Sequence, residues 1–181
     1  MEKNLANILT MARLVLLPLL IILFFVPASW AAWTCLVIYI FGAATDFLDG
    51  WIARKYNQIS DFGKFMDPIS DKIFVVTILL MLVAVDRING IMVVAVVIIL
   101  AREFMVSGLR EFLGPKDIKL PVTDLAKWKT TIQMVAIGFL IMGPYLFLAT
   151  TIGYLGLAAA AGITAYTGYL YLRAGMEHFE R

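Results

Sequence analysis

The sequence predicts an all-α, polytopic membrane protein of six transmembrane helices with a short amphipathic N-terminal segment. Three observations carry that prediction. First, 62% of the 181 residues are hydrophobic and only 15% are charged, more apolar surface than a soluble domain of this size can bury. Second, apolar runs of about 20 residues, the length that crosses a bilayer as a helix, recur along the chain. Third, lysines and arginines are confined to alternate connections, as in a chain that threads back and forth through a membrane.

In chain order, residues 1–13 are more polar than the run of apolar residues after them, and Asn7, Thr10 and Arg13 recur every third residue on one helical face. Two readings stay open for them: contact with lipid headgroups, or the lining of a site entrance. The first span covers about 8–27, and its length, Pro27 and Trp30 favour a membrane helix over a cleaved leader ending near Ala28-Ser29-Trp30-Ala31-Ala32. The second, about 31–54, carries the lone Cys35 in an apolar setting that suits packing. Spans three to six cover about 67–86, 89–110, 128–147 and 150–173. Pro68 is expected near the start of the third, where its missing N–H matters least. The stretch from Leu113 to Asp124, with Gly114, Pro115 and Pro121, reads as a polar connection. Glycines 138, 143, 153, 156, 162 and 168 suit close helix packing in the last two spans. The whole chain, 1–181, is expected to form one membrane domain.

Six spans put both termini and the connections near 55–66 and 111–127 on one side. That side and its helix ends hold every lysine and arginine except Arg87, so it is predicted to be cytoplasmic.

Across the second and third spans runs the string D-x2-D-G-x2-A-R-x8-G-x3-D-x3-D, formed by Asp46, Asp49, Gly50, Ala53, Arg54, Gly63, Asp67 and Asp71. Carboxylates inside a membrane are costly and mark functional sites. At 100° per residue, Asp46, Asp49, Gly50 and Ala53 share one face, and Gly63, Asp67 and Asp71 share another. Two antiparallel helices joined by a short turn are neighbours, so the faces can converge. Hard oxygen donors in this number suit Mg2+ or Mn2+, and a pair of ions would neutralise a diphosphate. Arg54 offers a forked donor for phosphate. The small residues Gly50, Ala53 and Gly63 leave room beside it. Asp71 can ligate metal or take a proton from an attacking hydroxyl. A salt network with Arg54, Lys64 and Lys72 accounts for the charges but not for the spacing or the small residues.

The string resembles the signature of the CDP-alcohol phosphatidyltransferase family at every fixed position. The resemblance implies six membrane helices in a homodimer with a cytoplasm-facing site. It further implies two divalent cations on Asp46, Asp49, Asp67 and Asp71, with Asp71 as general base. Asp49, Gly50, Ala53, Arg54 and Gly63 would bind the CDP part of CDP-diacylglycerol, itself held in the lipid bilayer.

The string leaves the acceptor alcohol open. A second polar group, Arg102, Ser107 and Arg110 in the fourth span with Lys127 and Lys129 opening the fifth, reads either as compensated and topology-setting charge or as a pocket for another anion. Several cations suit a phosphorylated acceptor, sn-glycerol 3-phosphate or an inositol phosphate, over serine. The strings N-x2-T-x2-R, A-R-E-x3-S-x-L-R-E and K-x-K-T-x2-Q-M look like those of the bacterial family members that use glycerol 3-phosphate. Ala126, where those have glycine, is a departure. That likeness implies a bacterial cytoplasmic membrane, and nothing in the pattern calls for nucleic acid. An Asp-rich prenyltransferase would not need the nucleotide space. A cation transporter would spread its acids through the bilayer depth, whereas these gather at one face.

Overall fold

The computed structural model describes residues 5–56, 61–113 and 124–176, with the side chains at 5–9, 46–56, 61, 62, 64, 67, 124, 126 and 127 outside that description. Among the described residues the elements are α1 (Leu5–Phe24), α2 (Ser29–Tyr56), α3 (Asp61–Ala84), α4 (Met92–Leu113), α5 (Asp124–Met142) and α6 (Ala149–Met176). A helix is the form an apolar segment takes in lipid, because it satisfies its own N–H and C=O groups.

The order matches the six predicted spans, and the bounds differ where polar sequence prolongs a helix. α1 runs unbroken from Leu5, so among the described residues no separate amphipathic segment precedes it. α3 opens at Asp61, which places Pro68 two turns inside the helix and removes an interior backbone bond there. α5 stops at Met142, before Gly143-Pro144, where the predicted span continued to 147. By length and composition, α4 and α6 are apolar enough to cross a membrane. The uninterrupted apolar parts of α1, α2 and α5 are shorter, Thr10–Phe24, Ser29–Thr45 and Trp128–Met142.

The chain divides into two compact units, Met1–Arg87 with Ile141–Phe147, and Ile88–Leu140 with Leu148–Arg181. In the first unit α1 packs against both α2 and α3. Leu20, Ala31, Cys35, Ile78, Leu79 and Leu82 are buried there. α3 ends in a left-handed cap: Asp86 has φ 56°, Asp86 N–H donates to Val83 O at 3.1 Å, and Arg87 N–H to Leu82 O at 2.9 Å. That cap delivers Arg87 to two tasks. Its guanidinium donates to the Ile141 carbonyl and lies 5.5 Å from the Phe24 ring centroid. Burial pulls its pKa below the ordinary arginine value, and the guanidinium still carries its charge at neutral pH.

In the second unit α4 packs on α6. Gly153 and Gly156 abut α5 at Leu140 and Ala136, while Gly168 and Gly175 abut α4 at Arg102 and Leu109. Gly153, Gly156 and Gly168 therefore pack as the sequence indicates, whereas a Cβ on Gly162 would meet nothing within 4 Å. Trp30 and Trp33 at the start of α2 and Trp128 near the start of α5 are exposed, as amphipathic rings are at a membrane interface.

Candidate active site

The acidic string lies on α2 and α3 as predicted: Asp46, Asp49, Gly50, Ala53 and Arg54 in the last turns of α2, and Gly63, Asp67 and Asp71 in the first turns of α3. Of the four acids, Asp71 has its side chain among the described residues, half-buried; the side chains of Asp46, Asp49 and Asp67, and of Arg54, lie outside them.

Directly beneath the acids is a close helix contact. A Cβ on Gly42 would lie 2.3 Å from Cζ of Phe74, so α2 presses its backbone onto that ring. The Phe74 ring stacks on Tyr39, with centroids 6.2 Å apart and planes 5° from parallel. All three residues are buried. One helical turn beyond Gly42 comes Asp46, and three residues before Phe74 comes Asp71. Gly63 and Ser70 are buried, and Thr45 Oγ1 donates back to Gly42 O at 2.9 Å. Tyr39, Gly42 and Phe74 thus form a packed floor between α2 and α3.

This floor yields a test. Gly42→Ala is expected to displace Phe74 from Tyr39 and destabilise the protein by about 1–3 kcal/mol. Lower turnover should accompany a lower melting temperature in detergent. Wild-type values for both would show that the contact is slack.

The polar face of α1 is turned inward. Thr10 and Arg13 are 1% and 2% exposed; the side chain of Asn7 lies outside the described residues.

The second polar group is partly assembled in the second unit. Arg102 on α4 is buried, and its Nη1 lies 3.3 Å from Glu103 Oε1. Lys129 on α5, 3% exposed, donates its Nζ to the same carboxylate oxygen. Arg110 is exposed at the end of α4, and its guanidinium lies 5.7 Å from the Tyr171 ring centroid on α6; that of Arg102 lies 5.4 Å from the same centroid. Ser107 is half-buried on α4, and Lys127 lies on α5 with its side chain outside the described residues. Arg102 and Lys129 therefore share one countercharge, where the compensated reading paired Glu103 with Arg102 alone, and Arg110 lies against the same Tyr171 ring as Arg102.

Glu103 and Tyr171 are members that sequence reasoning left out. Glu103 reads as a local countercharge to Arg102, and its reach to Lys129 is a tertiary fact. Tyr171 sits in an apolar helix and gives no signal of its own.

The CDP-alcohol phosphatidyltransferase family model matches residues 3–165. The chain belongs to that family. It is similar to the CDP-diacylglycerol--glycerol-3-phosphate 3-phosphatidyltransferase of Rickettsia prowazekii (strain Madrid E), 42% identical over 98% of each chain. It is 35% identical to the protein of that name from Pseudomonas fluorescens, over 98% of this chain and 92% of the relative. With that of Salmonella choleraesuis (strain SC-B67) it shares 34% identity over 96% of each. CDP-alcohol phosphatidyltransferases are generally dependent on divalent metal, in keeping with the carboxylates of the shared string.

Proposed function

We propose that this chain transfers the phosphatidyl group of CDP-diacylglycerol to sn-glycerol 3-phosphate, releasing CMP and forming phosphatidylglycerol phosphate. The intact string on α2 and α3 carries the donor half of that reading. The cluster of Arg102, Arg110 and Lys129, together with the names of full-length relatives, supports a phosphorylated acceptor.

Asp46, Asp49, Asp67 and Asp71 would hold two divalent cations, Mg2+ or Mn2+. Such ions supply charge neutralisation of the diphosphate and of the oxygens that attack and leave. Asp49, Gly50, Ala53, Arg54 and Gly63 receive the CDP moiety, with the Arg54 fork on a phosphate oxygen. Asp71 takes the proton from the 1-hydroxyl of the acceptor. The oxygen so freed bonds to the phosphorus that bears the diacylglycerol, the bond from that phosphorus to the CMP oxygen breaks, and CMP leaves with the electron pair. Arg110, Lys129 and Lys127 hold the acceptor phosphate, with Arg102 and Ser107 beside them. We further place all six helices across a bacterial cytoplasmic membrane as one domain, both termini and the site facing the cytoplasm, and the chain in a homodimer. The one-sided lysines and arginines support that orientation.

An acceptor panel tests the reading. Purified protein given CDP-diacylglycerol and Mg2+ or Mn2+ should release CMP with sn-glycerol 3-phosphate. Faster release with serine or an inositol phosphate would overturn the acceptor, and turnover unaffected by chelation would overturn the metals. Arg110→Ala should raise the KM for glycerol 3-phosphate roughly 10- to 100-fold, as loss of a charge-assisted hydrogen bond does, with little change for CDP-diacylglycerol. An unchanged acceptor KM would return Arg110 to a topology-setting charge.

A further inference from the structure

Tyr171 is a tyrosine where packing alone needs only an aromatic ring. It is 5% exposed, and its hydroxyl, fully buried, has no hydrogen-bond partner among the described residues. The Nε of Arg102, also buried, likewise has none among them. Both guanidiniums of α4 lie within 6 Å of this one ring, at 5.4 Å for Arg102 and 5.7 Å for Arg110. The backbone enforces that placement: at Gly168, one turn before Tyr171 on α6, a Cβ would lie 2.9 Å from Arg102 Cγ. α6 therefore comes as near to α4 as a glycine allows, and Tyr171 follows at the level of the arginines.

The electrostatics of the group are unequal. Glu103 takes up Arg102 and Lys129, and the two buried cations are fixed by that carboxylate and by their surroundings. Arg110 is exposed, on a long flexible side chain, and its guanidinium lies against the face of Tyr171. A free arginine must lose that freedom when it binds an anion, whereas one already held against a ring has lost much of it. The ring attracts the cation without neutralising it, so the charge stays available to a ligand.

We propose that Tyr171 is a positioning residue for the acceptor anion, its ring holding the Arg110 guanidinium beside Arg102 in the arrangement that receives a phosphate group. The inference rests on the acceptor site proposed above and adds a residue to it. It assigns Tyr171 no contact with reacting atoms.

The experiment compares Tyr171→Phe, Tyr171→Trp and Tyr171→Leu in two assays on the full-length protein in detergent. In the first, inorganic phosphate is the probe and the midpoint of thermal unfolding is followed against its concentration. In the second, the KM for glycerol 3-phosphate is measured with CDP-diacylglycerol saturating. Phe and Trp keep a ring for the cation and should keep both phosphate protection and the KM near wild type. Leu should weaken phosphate protection and raise the acceptor KM roughly tenfold, with the KM for CDP-diacylglycerol unchanged. If Leu lowers the melting temperature while phosphate protects it as well as wild type, the residue only packs and the proposal falls. Equal losses for Phe and Leu would overturn it too, by assigning the effect to the hydroxyl. Phosphate protection that depends on the ring, in a protein inactive with glycerol 3-phosphate, would sustain Tyr171 as a positioning residue and reject the acceptor. Activity with an acceptor KM insensitive to Leu would do the reverse.

Discussion

Asp67→Asn is expected to abolish CMP release while the protein stays folded. Asparagine keeps the size of the side chain and one oxygen donor but removes the charge that makes a carboxylate a strong ligand for a hard cation. Loss of a group that merely orients a ligand costs about 10–100-fold, so loss of a ligand that serves the diphosphate should exceed about 100-fold. Stability should move the other way or not at all. In the proposed site four carboxylates would repel one another before metal binds, and removing one would relieve that repulsion. CMP release and thermal unfolding in detergent, measured with and without Mn2+, separate the two effects. Wild-type turnover in Asp67→Asn would reject the metal role of the string. Lost turnover with lost folding would make Asp67 structural.

That prediction rests on a part of the molecule that is legible in the sequence alone. The string is local, its period is helical, and a connection of four residues between α2 and α3 makes neighbours of the two faces. Six helices are legible for the same reason, since apolar length is written along the chain. Their ends are not. α3 begins six residues before the predicted 67, because Asp61 to Met66, where Asp61, Gly63 and Lys64 interrupt the apolar run, still continues the helix. The floor of Tyr39, Gly42 and Phe74 is equally hidden. In sequence these are an aromatic residue, a glycine and another aromatic residue in apolar runs, and only the approach of the two backbones gives them a shared purpose.

The second polar group shows the opposite limit. Its cations are visible as residue types, but which of them are neutralised depends on a contact between Glu103 and Lys129 that joins different helices. The sequence pairs Arg102 with Glu103 and leaves Lys129 as a topology signal. The structure has both cations sharing Glu103 and places Arg110 on Tyr171. In the acceptor site proposed above, the exposed Arg110, and not the buried Arg102, is assigned the first contact with the phosphate.

Glu103→Ala is expected to be among the most destabilising single changes in the second unit, and its rescue separates folding from catalysis. The side chains of Lys129 and Arg102 are 4% and 10% exposed, and both lose their common carboxylate. Breaking a buried pair by removing one partner costs roughly 3–5 kcal/mol. With 28% of the Glu103 side chain accessible, the lower end applies. In a chain of this length that corresponds to a fall in melting temperature of roughly 6–12 °C. Glu103→Gln should lose less, because its carbonyl oxygen still accepts from Lys129. The double variant Glu103→Leu with Lys129→Met should recover the part of the stability lost at Lys129, since an apolar pair replaces that ion pair at little cost, while Arg102 stays without its carboxylate. It should not recover the acceptor KM if Lys129 holds the acceptor phosphate as proposed. A Glu103→Ala protein that melts with the wild type would mean that the carboxylate is dispensable to the fold. A double variant that regains both stability and acceptor KM would remove Lys129 from the site and leave the acceptor phosphate to the arginines of α4.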